Sequence, residues 1–136
     1  MNESNSPMIL VADDDVEDQE MLLEYFLGGG LDRNDVTFVT NGRAAIEYLQ
    51  RHDTLPKLIV LDLKMPIMDG QTTLLQIKGE GKFKHIPVVM YSTSSNEQDR
   101  RKSLVNGALE YFIKPSSYDE GESMATRLIK VLQEQL

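Results

Sequence analysis

The chain contains no cysteine. Disulfide bonds and thiolate metal sites are therefore excluded, and this composition is consistent with a reducing compartment. Long hydrophobic runs are also missing, because the longest apolar segments are far too short to cross a bilayer. No basic-then-apolar leader opens the chain. From these absences we expect a cytoplasmic protein with no membrane partner.

Basic residues are scarce as well. Lysine and arginine total 14 against 22 aspartates and glutamates, which gives a net charge of -8. A nucleic-acid-binding surface needs a basic face. The only dense basic cluster, residues 100–102, is best interpreted as a solvated helix face. We therefore expect no nucleic-acid partner.

What remains is an ordinary globular composition. The 136 residues are 40% hydrophobic and 26% charged, and this length is typical of one domain with a real core. Residues 1–7 are short and polar, which predicts a flexible leader. Residues 8–136 are predicted to form one domain with nothing attached.

The segment from Leu58 to Gly70, LIVLDLKMPIMDG, organises the chain. Its first four residues are all apolar, so they lack the alternation of a strand with one wet face. This pattern predicts a central strand of a parallel sheet, covered on both sides. Asp62 follows the run, and Pro66 and Asp69-Gly70 then make a turn. Asp62 is therefore placed at the carboxyl end of the strand, where open α/β sheets bind ligands, although an aspartate there could also serve only the turn.

Strand-like and helix-like segments alternate along the rest of the chain. The predicted strands are 8–12, 36–40, 58–62, 86–91 and 109–113. Helices are predicted after each strand, beginning near residues 16, 43, 71, 95 and 118. This alternation indicates right-handed crossovers, and so an α/β fold with a parallel sheet and helices on both faces.

Local patterns add detail to these helices. Asp15 is a candidate N-cap for the first helix, and the pairs Ser94/Glu97 and Ser117/Glu120 fit capping boxes for the last two. The faces predicted to be buried include the following apolar residues: Val16, Leu22, Leu23, Phe26 and Leu27 in the first helix, and Leu74, Leu75 and Ile77 in the third.

Polar residues follow four of the predicted strands, one set after each strand. They are Asp13-Asp14, Asp62, Ser92-Thr93 and Lys114. In a parallel sheet all four lie at the same edge. Clustered carboxylates favour a hard divalent cation such as Mg²⁺, and lysine is a partner for phosphate. The set is therefore equipped for phosphoryl transfer to an aspartate, with metal and lysine neutralising the transferred charge.

These residues resemble the receiver domains of two-component response regulators. The resemblance runs from about Met8 to Leu136 and rests on four segments in family order: VADDD at 11–15, LDLKMPIMDG at 61–70, PVVMYSTS at 87–94 and GALEYFIKP at 107–115. It implies a flavodoxin-like receiver fold with five strands in the order 2-1-3-4-5 and five helices. The STS run and the length are also similar to small stand-alone regulators paired with bacterial phytochromes.

The resemblance assigns roles residue by residue. Asp62 is implied as the phospho-acceptor and as one of the residues of the Mg²⁺ site, with Asp14 binding Mg²⁺ directly and Asp13 through water. The backbone carbonyl of Lys64 is implied as a further metal ligand, and Lys114 as the lysine that pairs with the phosphoryl group.

Two further assignments follow from the same resemblance. Ser92 is implied as the switch hydroxyl, where threonine is commoner in the family, and Tyr111 as the switch aromatic. A cis Lys114–Pro115 peptide is also implied. Thr93 stands where the family often has a small residue, which would narrow access to the site.

The resemblance also implies partners. A histidine kinase or phosphotransfer protein would supply the phosphoryl group, and the output would pass to an unknown downstream protein or through a homodimer on the face formed by helix 4, strand 5 and helix 5. No activity beyond self-catalysed phosphoryl transfer and autodephosphorylation is expected.

Two other functions stay open at this point. One is a small-molecule phosphatase working through an aspartyl phosphate, which usually carries a second acid where this chain has Lys64. The other is a pseudo-receiver that binds partners without phosphorylation. His52 and His85 have no spacing that indicates catalysis or metal binding, and both are interpreted as surface residues.

Overall fold

The computed structural model describes residues 8–135, so the predicted leader at residues 1–7 lies outside the described part of the chain. Five parallel strands form one sheet in the order β2-β1-β3-β4-β5. The strands are β1 (Ile9–Ala12), β2 (Val36–Val39), β3 (Leu58–Asp62), β4 (Val88–Ser92) and β5 (Glu110–Ile113). The helices are α1 (Val16–Gly28), α2 (Gly42–Arg51), α3 (Gly70–Gly79), α4 (Glu97–Val105) and α5 (Tyr118–Glu134), and a short 3₁₀ turn (Arg33–Asp35) precedes β2. The α/β class and the strand order 2-1-3-4-5 are both confirmed.

The strand β3 is central and buried along its whole length. It pairs with β1 on one side and β4 on the other, with Leu61 opposite Ala12 and Met90. Successive side chains of a strand point to opposite faces, so an uninterrupted apolar run is needed where helices cover both faces. The continuous apolar pattern at 58–61 therefore has the predicted explanation, which is that helices cover both faces of this strand.

Two hydrophobic clusters lie on the two faces of the sheet. The first joins Val11 and Val60 to Phe26 of α1 and Leu128 of α5. The second joins strand residues of the opposite parity, such as Leu10 and Leu61, to Leu49 of α2 and Leu74 of α3. The helices are thus held on both faces, and the carboxyl ends of the strands are left to carry the polar residues.

Helix caps agree with the sequence pattern at two positions and differ at one. Asp15 caps α1 by accepting the N–H groups of Glu17 and Asp18. Ser117 caps α5 by accepting the Glu120 N–H, but the Glu120 carboxylate accepts the N–H of Ser116 and not that of Ser117, so only half of the predicted capping box is present. The predicted capping box of Ser94 and Glu97 is wrong, because Asn96 is the N-cap of α4. The Ser94 hydroxyl instead accepts the Asn96 N–H at 3.1 Å and donates to Asp99 at 2.7 Å.

Two residues predicted to be buried are exposed. Val16 is 58% exposed; it is the first residue of α1 and follows the N-cap Asp15 directly. Leu75 is 52% exposed. It is turned about 100° around the helix from Leu74, and Thr73, Leu74 and Ile77 already fill the buried face of α3.

The loop between β3 and α3 packs tightly against the end of β3. The Gly70 N–H donates to the Leu63 carbonyl at 2.9 Å. A Cβ atom at Gly70 would lie 2.2 Å from the backbone oxygen of Asp62, so only glycine allows this close approach. Asp69 caps α3 by accepting the Thr72 N–H, which confirms that it serves its turn.

The predicted cis Lys114–Pro115 peptide is wrong. No peptide bond within residues 8–135 is cis. The trans form is the intrinsically favoured one for a bond before proline, by roughly 0.5–1 kcal/mol.

Candidate functional site

Three carboxylates meet at the carboxyl edge of the sheet. Asp13 and Asp14 directly follow β1, and Asp62 is the last residue of β3. One oxygen of each lies within 4.8 Å of the others. Asp13 is fully buried and Asp62 is 6% exposed, whereas Asp14 is exposed. We refer to these three residues as the acidic cluster.

Lys114 joins the acidic cluster from the end of β5. Its Nζ donates to Asp62 Oδ2 at 3.0 Å, to Asp13 Oδ2 at 3.2 Å and to Asp18 Oδ2 at 2.6 Å. Burial lowers the pKa of Lys114, but the hydrogen bonds to Asp18 and Asp62 and the nearby negative charges outweigh this effect. The pKa of Lys114 therefore lies above its ordinary value, and the amine stays protonated.

The Asp62 carboxyl is less acidic than an ordinary aspartate. Burial is the largest cause that raises its pKa, the hydrogen bond and charge of Lys114 oppose the shift, and the charge of Asp13 adds to it, so that the pKa of Asp62 is about 6. One ammonium group does not neutralise four neighbouring carboxylates, counting Asp18. The edge of the sheet therefore favours a further positive charge.

A pH dependence follows from the raised pKa of Asp62. The folded protein holds a proton on Asp62 with a pKa of about 6, whereas the unfolded chain releases it near the ordinary value of about 3.9. Between these two values the folded state binds more protons, so the free energy of unfolding falls as pH rises. We expect metal-free protein to lose on the order of 1–2 kcal/mol between pH 4.5 and pH 7, after allowing for solvent screening.

Urea unfolding in the presence of a chelator measures this slope. Asp62→Asn should flatten the slope and stabilise the metal-free protein near pH 7. Asp53→Asn, in an exposed loop, should keep the wild-type slope. Equal slopes for wild type and Asp62→Asn would contradict the assignment to Asp62.

Ser92 ends β4 beside the acidic cluster. The sheet register pairs Asp62 with Tyr91, so Ser92 lies one residue further along the neighbouring strand, and it is 2% exposed. Its Oγ accepts the Ser94 N–H at 3.0 Å, and the Ser94 carbonyl accepts the Tyr111 hydroxyl at 2.8 Å. Ser94 thus connects the predicted switch hydroxyl to the predicted switch aromatic. Thr93, which lies between Ser92 and Ser94 in the sequence, is exposed.

Two site residues were not predicted from the sequence. Asp18, in the first turn of α1, reaches Lys114, and Tyr91 donates its hydroxyl to Asp13. The Tyr91 ring also lies 4.8 Å below Lys114 Nζ. The only sequence signal for Asp18 is an acidic residue on the helix that follows Asp13-Asp14. No local pattern indicates a site role for Tyr91, since an apolar strand predicts only a core position for it.

The residues of the acidic cluster fit a divalent cation. Their oxygens are the hard ligands that Mg²⁺ and similar ions prefer, and among residues 8–135 the Asp14 carboxylate has no hydrogen-bond partner. The Lys64 N–H lies 3.4 Å from Asp62 Oδ1, so the backbone of Lys64 adjoins the cluster. His52 stacks on Tyr48, and His85 is exposed, in agreement with their interpretation as surface residues.

A family model described as the response regulator receiver domain matches residues 9–126. The chain belongs to this family. It is a receiver domain of two-component signalling, a class whose members interact with histidine kinases or phosphotransfer proteins. No helix in the described part of this receiver domain is long and apolar enough to span a membrane.

Individual relatives are similar to this chain in sequence and in fold. The response regulator Rcp1 of Synechocystis is 36% identical over 104 residues, which cover 72% of this receiver domain and 70% of Rcp1. The solved structure of a phosphorylated cyanobacterial phytochrome response regulator, RcpA, has a TM-score of 0.83 at 26% identity and covers 96% of both chains. A solved Mn²⁺-bound form of Rcp1 has a TM-score of 0.77 at 28% identity and covers 90% of this chain and 91% of Rcp1.

Other relatives are longer proteins. The probable methanogenesis regulatory protein FilR2 of Methanothrix harundinacea is 36% identical over 89 residues, which are 62% of this receiver domain and 57% of FilR2. The sensor histidine kinase CheAY of Helicobacter pylori is matched over 17% of its length. The receiver domain thus spans only part of these two relatives.

Proposed function

We propose that Asp62 accepts a phosphoryl group from a histidine kinase or a phosphotransfer protein, in a reaction that depends on Mg²⁺. The observation that carries this proposal is the position of Asp62 at the end of the central strand. There its Oδ2 lies 3.0 Å from Lys114 Nζ and beside the other carboxylates of the acidic cluster.

In the proposed reaction an oxygen of Asp62 attacks the phosphorus of a phosphohistidine. The Asp62 O–P bond forms while the P–N bond breaks, and the electron pair of that bond returns to the imidazole of the donor. Lys114 moves from carboxylate to phosphoryl oxygens, where its charge stabilises the transferred group. Asp13 and Asp14, with the Lys64 carbonyl, would hold Mg²⁺, which supplies positive charge to phosphoryl oxygens.

The aspartyl phosphate is then proposed to hydrolyse slowly within the same site, so the protein turns over no external substrate. The test is incubation with a small-molecule phosphodonor and Mg²⁺, followed by intact mass. One added phosphoryl group supports the proposal, and no added mass would favour a pseudo-receiver. Rapid turnover of an added phosphate ester would instead indicate a phosphatase.

The signal is proposed to leave through the face formed by α4, β5 and α5. On this face Arg100 and Arg101 are exposed beside Glu97, and Val105 and Ile113 are exposed apolar residues. A downstream protein or a second copy of the chain would dock here. The route to this face is the chain of contacts from Ser92 through Ser94 to Tyr111.

Ser92→Ala tests this route. A phosphoryl oxygen on Asp62 would draw the Ser92 hydroxyl as a donor, and a charge-assisted hydrogen bond of this kind contributes roughly 1.5–3 kcal/mol. That energy shifts a two-state population by about one to two decades. Ser92→Ala should still be phosphorylated, but NMR shifts of residues 95–113 on phosphorylation should shrink to a small fraction of those of the wild type.

The matched control is Ser95→Ala, which removes an exposed hydroxyl from the same loop. It should respond as the wild type does. A full wild-type response in Ser92→Ala would show that the signal reaches α4 and β5 by another route.

A further inference from the structure

The buried carboxylate of Asp13 is held by three donors. Its Oδ1 accepts the Asp15 N–H at 2.9 Å, and its Oδ2 accepts both Lys114 Nζ at 3.2 Å and the Tyr91 hydroxyl. Asp13 is 0% exposed, so water does not replace a missing donor. A buried charge of this kind requires hydrogen-bond partners within the protein.

The two side-chain donors of Asp13 differ in the number of carboxylates to which they donate. Lys114 is shared with Asp18 and Asp62, and under the proposed function it moves to the phosphoryl group. The Tyr91 hydroxyl donates only to Asp13 among the described residues. Its ring is 2% exposed in the core cluster that α1 and α5 cover, so it has no room to turn away.

Tyr91 also keeps its proton. Burial raises the pKa of Tyr91 far above its ordinary value, and the charge and hydrogen bond of Asp13 add to this shift. The hydroxyl faces Asp13 as a hydrogen-bond donor. It supplies partial positive charge at the point where the acidic cluster concentrates negative charge.

We propose that Tyr91 is a positioning residue whose hydroxyl satisfies Asp13 in the metal-free site and competes with Mg²⁺ for the charge of that carboxylate. This inference rests on the proposed Mg²⁺ site. When the cation is bound, its two positive charges offset Asp13 and the hydroxyl contributes less. When the cation is absent, the Asp13 carboxylate is stabilised by the Tyr91 hydroxyl, by Lys114 and by the Asp15 N–H. Tyr91 thus lowers Mg²⁺ affinity and stabilises the metal-free fold.

The test is Tyr91→Phe, which removes the hydroxyl and keeps the ring that lies below Lys114 and packs in the core. Calorimetric titration with MgCl₂ should give a Kd about three- to tenfold lower than that of the wild type, since the lost charge-assisted hydrogen bond stabilises the metal-free state more than the metal-bound state. The Tm of the metal-free variant should fall by about 3–8 °C. Saturating Mg²⁺ should remove most of that difference.

Two controls separate this role from packing. Tyr25→Phe removes a hydroxyl from the same core cluster without touching Asp13, and it should leave the Kd for Mg²⁺ unchanged. In an Asp13→Asn background the Tyr91→Phe change should no longer tighten Mg²⁺ binding, because the charge for which the two compete is gone. A tightening that persisted there would contradict the proposal.

The remaining outcomes are decisive as well. An unchanged or weaker affinity in Tyr91→Phe would overturn the inference, as would a variant that is unfolded both with and without Mg²⁺. A variant that folds only with Mg²⁺ would support it. If the wild type binds Mg²⁺ but gains no phosphoryl group, the proposed function fails and the Tyr91 result still stands. If the wild type shows no Mg²⁺ binding, the inference fails together with the metal site.

Discussion

Asp62→Asn should keep its unmodified mass after incubation with a small-molecule phosphodonor and Mg²⁺, while the wild type gains one phosphoryl group. The amide lacks the anionic oxygen that attacks phosphorus, and no other carboxylate lies in the same position. Asp13 is fully buried and already accepts three hydrogen bonds. Asp14 is exposed and does not contact Lys114, as far as the described residues show. We therefore expect a complete loss of labelling, measured by intact mass.

The matched control for Asp62→Asn is Asp69→Asn. Asp69 lies in the following loop and caps α3, and asparagine caps helices as well as aspartate does. This variant should fold and should be phosphorylated like the wild type. Full labelling of Asp62→Asn would move the acceptor to another residue, and peptide mapping of the labelled protein would identify it.

Asp14→Ala should weaken Mg²⁺ binding by at least about tenfold, the second large effect that we expect. Asp14 is the exposed member of the acidic cluster, and its carboxylate has no hydrogen-bond partner among residues 8–135. Its charge is therefore free to bind a cation. Asp13, in contrast, already shares its charge with Tyr91 and Lys114. Calorimetric titration with MgCl₂ measures the difference.

Asp15→Ala is the comparison that fixes the register of the three consecutive aspartates. Asp15 accepts the N–H groups of Glu17 and Asp18 as the N-cap of α1. Its loss should cost roughly 0.5–2 kcal/mol of stability and should change Mg²⁺ affinity by no more than about threefold, as for a solvent-screened charge. If Asp15→Ala weakened Mg²⁺ binding as much as Asp14→Ala, the metal ligand would be shifted by one residue.

The raised pKa of Asp62 and the expected Mg²⁺ binding have related origins. Burial is the main cause of the raised pKa, and the charge of Asp13 makes a smaller contribution. The carboxylates at this edge of the sheet outnumber the single ammonium group of Lys114, so a proton on Asp62 or a bound cation stabilises the site. This electrostatic cost is a common property of functional sites. It also explains why removing a carboxylate here is expected to stabilise the metal-free protein while abolishing its chemistry.

The sequence by itself determined the elements and most of the site. The apolar run before Asp62 indicated a strand covered on both faces, and the polar residues after four strands indicated one shared edge. Both conclusions depend on local rules, since side-chain alternation and strand ends are properties of short segments. The strand order came from the resemblance of LDLKMPIMDG and its companion segments to receiver domains, and the structure confirms it.

Only the tertiary structure decided which side chains meet Asp13 and Lys114. Tyr91 and Asp18 are far apart in sequence, and no sequence pattern assigned either a role in the site, although Tyr91 lies within the segment PVVMYSTS. They converge because β1, β3, β4 and β5 end at the same edge of the sheet and α1 begins there. The exposure of Leu75 was likewise decided by the tertiary structure, because adjacent apolar residues leave open which side of the helix packs on the sheet.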